Sequence, residues 1–486
     1  MRKLFVAAVV LFACGGGSDA PPDAATNDAA ALDAGGDATS PSDAAPSCTA
    51  NVDMTALGAH DTSAFAQYDQ AHFSANFGTT TWIAQSGTTM AVDPAKADMS
   101  LNPVTPGHVS NVDVHTLIPS RPDLRWFAHI TPWFRQGGGS HIDIGLEDDS
   151  DAYVQSMVDD MRRRGFDGVI VDWYGQGSYE DSVTLRMQKY IDSLPPKSFT
   201  FIVMMDKGIS GLSESVLEQQ ISYVQTKYFA DPNYELEGGQ PILMFFGVTD
   251  ALGSSAMQTA KTNTGGNMVW VVQGTGSLSN AWDDQAFDWT HDWQNGPSQT
   301  DPYNLAGVKS FYSAMAKQTK KAFGSLAAGF NGTLTKSVSW SKGKYLPRGS
   351  GACIVQWSKA IDGVIPANVT RMQWATWSDW EEGTEIESGV ENDAALGASI
   401  AGSKVSWTIT TGTGDESTID HYEVFASQDG KTGVDVGAVS AGTHSFDLAS
   451  AKCPLASGTW HVTVDAVAKP NIRDHLAAPV DWIKPS

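Results

Sequence analysis

Gly168-Val169-Ile170-Val171-Asp172-Trp173-Tyr174-Gly175, entered from Arg164-Gly165-Phe166-Asp167, decides how this chain folds. Its apolar residues run on without polar alternation, as in a strand buried on both faces beneath helices. Similar runs recur at 126–130, 199–205, 241–246, 268–272, 286–289, 325–330 and 371–376, eight in all. Helix-like stretches lie between them. Residues 151–164 place Val154, Met157, Val158 and Met161 on one face, and 213–227 and 305–322 read alike. This alternation over about 250 residues predicts an α/β fold, a (β/α)8 TIM barrel. An open doubly wound sheet is the alternative. It is disfavoured because no Gly-x-Gly-x-x-Gly follows an early strand, and Gly137-Gly138-Gly139 has neither the spacing nor the setting.

In a barrel the strand C-termini converge on one face, and sites are built there. The runs here end in polar or aromatic groups, which nominates His129, Trp133, Asp172, Trp173, Tyr174 and Asp206 as substrate contacts. Each could equally be a cap or a support; their shared placement is what counts. The last run leads into Thr376-Trp377-Ser378-Asp379-Trp380-Glu381-Glu382-Gly383-Thr384-Glu385. Asp379 and Glu382, one helical turn apart, can face the same way. Trp374, Trp377 and Trp380 are expected to offer flat surfaces on which sugar rings stack. Sugar hydrolysis needs such paired carboxylates, one to protonate the leaving oxygen and one to activate water or attack carbon. The plainer alternative is a solvated acidic turn.

The segment 376–382 is similar to the Thr-Trp-Asn-Asp-Tyr-Gly-Glu stretch of endo-α-1,3-glucanases. The following Gly383-Thr384-Glu385-Ile386-Glu387 is similar to the Gly-Thr-Gln-Ile-Glu ending of endo-α-mannosidases. Residues 164–175 also resemble the helix-to-strand segment of that group, glycoside hydrolase families 71 and 99. The resemblance spans about 126–387 and implies an endo-acting α-glycanase with Asp379 and Glu382 as its catalytic pair. Glu382 would be the general acid and Asp379 its partner base, or in a retaining variant the attacking or 2-hydroxyl-assisting group. The first acid is Asp, as in the glucanases, where the mannosidases carry Glu. Ser378 replaces the glucanase Asn. No metal or organic cofactor is implied.

The ends fit an exported protein. Arg2 and Lys3 precede a ten-residue apolar run, 4–13, too short to span a bilayer. Leu11-Phe12-Ala13-Cys14 resembles a lipobox, so residues 1–13 are expected to be a signal peptide and Cys14 the lipid-bearing terminus. A soluble secreted protein is the alternative. Residues 14–47 are rich in Gly, Ala, Ser, Pro, Thr and Asp with no basic residue, and are expected to be a disordered tether. Acids outnumber bases 55 to 31, and the net charge of −24 excludes a nucleic-acid partner. The expected partners are a poly- or oligosaccharide and, through the lipid alone, a bacterial envelope membrane. The protein itself is expected to be a monomer. Cys48, Cys353 and Cys453 allow one disulfide and lack metal-site spacing.

The barrel domain is expected over 48–400. Beyond it, short runs at 405–409, 420–426, 445–448 and 460–467 predict a small β-sandwich over 401–486, separable near Ala401 and resembling a fibronectin type III domain. The sequence therefore predicts a lipid-anchored glycoside hydrolase. Its rivals are a non-catalytic glycan-binding lipoprotein and an adhesion protein.

Overall fold

The computed structural model describes residues 51–57, 81–83, 89–91, 109–135, 150–274, 280–288, 301–331, 345–379 and 382–485. Cys14, the lipobox and the tether lie outside them.

Eight strands form a closed parallel ring: β1 Arg125–Ile130, β2 Gly168–Trp173, β3 Thr200–Asp206, β4 Gln240–Phe246, β5 Val269–Gln273, β6 Gln285–Phe287, β7 Ala322–Leu326 and β8 Val369–Ala375. Each pairs with its successor, and β8 closes on β1 with Trp374 opposite Ala128. The chain is a (β/α)8 barrel. Its helices are α1 Asp151–Arg163, α2 Tyr179–Ile191, α3 Glu214–Lys227, α4 Val248–Thr264, α5 Leu305–Met315 and α6 Ala352–Ile361. Ser150, Ser178 and Ser213 cap the first three, each hydroxyl accepting a backbone N–H three residues on. Acids in the first turn and Arg or Lys in the last complement the helix dipole.

The period of two along each strand divides the core. Phe127, Ile170, Ile202, Met204, Ile242, Met244, Val271, Phe287 and Phe323 fill the barrel's interior. Trp126, Val169, Val171, Trp173, Val203, Met205 and Trp374 point outward under the helices. Gly168 is small by necessity, because a Cβ there would lie 2.5 Å from the Thr200 carbonyl oxygen. The seventh strand sits earlier than its apolar run suggests, at Ala322–Leu326 rather than 325–330, and α5 ends at Met315, short of 322.

Beyond β8 the chain makes a second body of antiparallel sheets. One contains β9 Ala395–Ala401, β10 Lys404–Thr410 and β13 Ser445–Asp447. The other contains β11 Ile419–Ser427, β12 Thr432–Ser440, β14 Gly458–Ala468, β15 His475–Leu476 and β16 Val480–Lys484. Val405 and Trp407 meet Tyr422, Val424, Val436 and Val462 in their shared core. The first strand starts at Ala395, ahead of residue 401, and the lead-in segment Val52–Asp53 pairs with β12 rather than with the barrel. Cys453 is disulfide-bonded, while Cys353 is a thiol buried in the barrel core.

The barrel's core draws on residues beyond Ala401. Ile472, in the turn after β14, belongs to the barrel's apolar core and bridges Val390. Arg473, 1 % exposed, donates from Nε to the Ser388 carbonyl at 2.9 Å. Ser110 Oγ donates to the Ala468 carbonyl at 2.6 Å. A cut near residue 401 would strip the barrel of part of its own core. Among the described residues no helix is long and apolar enough to cross a membrane.

Candidate active site

The carboxylate loop begins where β8 ends, with a cis Ala375–Thr376 peptide bond. It is a braced turn, not a helix. Trp377 N–H donates to the His129 carbonyl at 2.6 Å, and Thr131 N–H donates to Ser378 Oγ at 3.0 Å, which ties the loop to the end of β1. Thr376 Oγ1 accepts the Asp379 N–H at 2.8 Å. Asp379 Oδ1 accepts the Glu382 N–H at 2.9 Å, so one acid's side chain fixes the other's backbone. Gly383, at φ 60°, then reverses the chain without the strain a side chain would bring. Asp379 is buried and Glu382 half-buried. Trp380 lies outside the described residues.

Two buried arginines hold the far limb. Arg164, at the end of α1, donates to the carbonyls of Ile386 at 2.7 Å and Glu387 at 2.9 Å while pairing with Asp160. Arg348 donates to the carbonyls of Gly383 at 2.9 Å and Glu385 at 2.5 Å. Its partner Glu385, a flanking acid in sequence, is fully buried and ion-paired to it at 3.2 Å. Sequence reasoning missed both arginines.

Strands β2 and β3 deliver two more carboxyls to the same end. Asp172 shares the inward face of β2 with Ile170, and Asp206 the inward face of β3 with Met204. Burial raises Asp172 well above the carboxylate range, and the charges of Asp206, Glu180, Asp379 and Glu382 raise it further. Those influences bring five acids into one field. Asp172 Oδ1 is buried with no hydrogen-bond partner. Burial pushes Asp206 up to about 6, opposed by the Gly208 N–H and Lys207. Glu180, buried in the first turn of α2, adds an acid that lies outside the apolar runs and their ends. Tyr174, beside Trp133 at 5.1 Å between ring centres, is raised beyond the usual phenol range by burial and by Asp172, Asp206, Glu180 and Asp379. Its hydroxyl stays protonated.

Four nominated residues are placed differently. Trp173 faces the helices, fully buried, donating its indole N–H to Asp181 at 3.0 Å and stacking on Tyr223. Trp377 is also fully buried, against Phe166 with the Arg164 guanidinium 4.7 Å above its ring. Trp374 belongs to the same outer layer. These indoles are packing, not sugar platforms. His129 is sealed inside the barrel, and burial depresses it to about 3, so it is a neutral imidazole. Of the nominated contacts, Asp172, Asp206, Tyr174 and Trp133 gather at the mouth with the Asp379–Glu382 loop.

Among the described residues no three His, Cys, Asp or Glu side chains are grouped to hold a metal ion. No family model and no curated protein matches the sequence. Among solved structures, an endo-alpha-mannosidase of family GH99 from Bacteroides thetaiotaomicron is similar at 12 % identity over 55 % of this chain and 88 % of its own, with a TM-score of 0.44. A glycoside hydrolase-like protein matches at 11 % identity over 55 % of this chain and 87 % of its own, TM-score 0.42. A beta-glucuronidase from Parabacteroides merdae matches at 9 % identity over 74 % of this chain and 48 % of its own, TM-score 0.34. All three scores lie below 0.5, so the chemistry has to be read from this chain's own residues.

Proposed function

We propose that this protein is a glycoside hydrolase that cleaves α-linked polysaccharide, glucan-like or mannan-like, with Asp379 and Glu382 as its working pair. The observation that carries this reading is the convergence of the braced Asp379–Glu382 turn with Asp172 and Asp206 at the C-terminal end of the barrel. A mechanism that needs one protonated and one ionised carboxyl gains from a crowded acidic field, because like charges cannot all ionise together. Glu382, the more exposed of the two, serves as general acid to the leaving oxygen. Asp379, held by its own hydrogen bond to the Glu382 N–H, acts as base toward water or toward a sugar hydroxyl. Endo action follows from the sequence resemblance and is part of the proposal. Release of reducing ends from a panel of α-glucans and α-mannans tests it. Binding without cleavage across the panel would instead make this a glycan-binding protein.

An exported, Cys14-lipidated protein suits the basic-apolar-cysteine start, and the disulfide at Cys453 suits an oxidising compartment. The two antiparallel sheets over Ala395–Lys484 are compatible with a fibronectin-like module. Cys14→Ser should yield protein without acyl chains that no longer partitions with membranes; unchanged mass and fractionation would remove the anchor.

A further inference from the structure

Glycoside hydrolysis uses two carboxylates at the bond it breaks. This mouth holds five, and Asp172, Asp206 and Glu180 are surplus to that need. Asp172 stands out among them. It is 5 % exposed on the inward face of β2, and its Oδ1 is buried without a hydrogen-bond partner. A buried carboxyl in the field of four others stays protonated or waits for positive charge to arrive. The groups around it supply little: His129 is neutral, the Tyr174 hydroxyl is protonated, and exposed Lys207 acts on Asp206.

We infer that the glycan taken by this site carries a free amino group, whose ammonium is held against Asp172 with Asp206 beside it. This rests on the glycosidase reading and names its substrate class, an amino-sugar-containing α-glycan. A sugar hydroxyl could give Oδ1 a donor, but only an ammonium gives both a donor and the missing charge. On binding, the Asp172 O–H proton leaves to solvent and a carboxylate–ammonium pair remains. No other bond changes.

The test is calorimetric titration of the whole protein with glucosamine hydrochloride, N-acetylglucosamine and glucose at pH 7 and low salt. Phosphate and MOPS buffers are compared to count released protons. Glucosamine should bind at least about tenfold more tightly than either neutral sugar, as a charge-assisted hydrogen bond supports, and should release up to one proton. Asp172→Asn, checked by its thermal unfolding, should lose the preference and the proton release. Equal affinity of the wild type for the three sugars would overturn the inference whether or not the variant folds. Hydrolysis of neutral α-glycans without a glucosamine preference would refute the amino-sugar site and leave the glycosidase standing. A glucosamine preference without hydrolysis of any α-glycan would do the reverse.

Discussion

The two ends of this barrel treat buried acids in opposite ways. At the N-terminal end Glu235, 1 % exposed, takes hydrogen bonds from Arg125, Thr200 and Arg371, and Glu237 pairs with Arg371 and Lys321. The Arg125 and Arg371 guanidinium groups also lie over the rings of Phe127 and Phe323. Glu237 is held below its ordinary range by Lys321 and Arg371, against burial. At the C-terminal end the acids lie within one another's field, and burial with those like charges pushes Asp172 and Asp206 up. One end uses charge to close a fold. The other keeps charge in tension, as a site for chemistry does.

If that contrast is right, the largest stability loss comes from the paired end. Arg371→Met should cost about 3–5 kcal/mol in denaturant unfolding, because buried Glu235 and half-buried Glu237 are left with too little compensation. The unpaired end should respond with the opposite sign. Asp206 binds its proton up to about pH 6 when folded, against an ordinary 3.8 when unfolded. The folded state then holds more protons between those values, so stability falls as pH rises through the window and stays reduced above it. Asp206→Asn should therefore stabilise by up to about 3 kcal/mol at pH 7–8 and by nothing at pH 3, read from unfolding curves at each pH. A loss at pH 7 would mean the acids are not in tension. Lys321→Met, removing the half-exposed partner of Glu237, should cost less than about 1 kcal/mol and less still in high salt.

Much of this was legible from residues. The unbroken apolar run 168–171 specified a two-face-buried strand, and its polar end fell at the mouth as barrel geometry requires. The strand period is legible too: Asp172 and Trp173 are neighbours, so only one can point inward. Glu180 follows Ser178 in a Ser-x-x-Asp cap directly after β2, a signal that places an acid at the same mouth. Strand β7 was misplaced because Gly324 and Ser325 interrupt its apolar run, though Gly324 suits a tight contact with Tyr312 and Met372. Strand β9 alternates Leu396, Ala398 and Ile400, but small residues mute the pattern. The grip of Arg164 and Arg348 on the loop carbonyls spans 222 and 35 residues and leaves no local trace in sequence.

Whether the crowded end does the chemistry is decided by turnover of Asp379→Asn and Glu382→Gln on an α-glycan the parent protein cleaves. Both swaps keep shape and delete proton transfer. Each should remain folded by circular dichroism and lose about 10² to 10⁴ in kcat or more, while Lys321→Met at the opposite end keeps parental turnover. Parental turnover in either Asp379→Asn or Glu382→Gln would contradict the account.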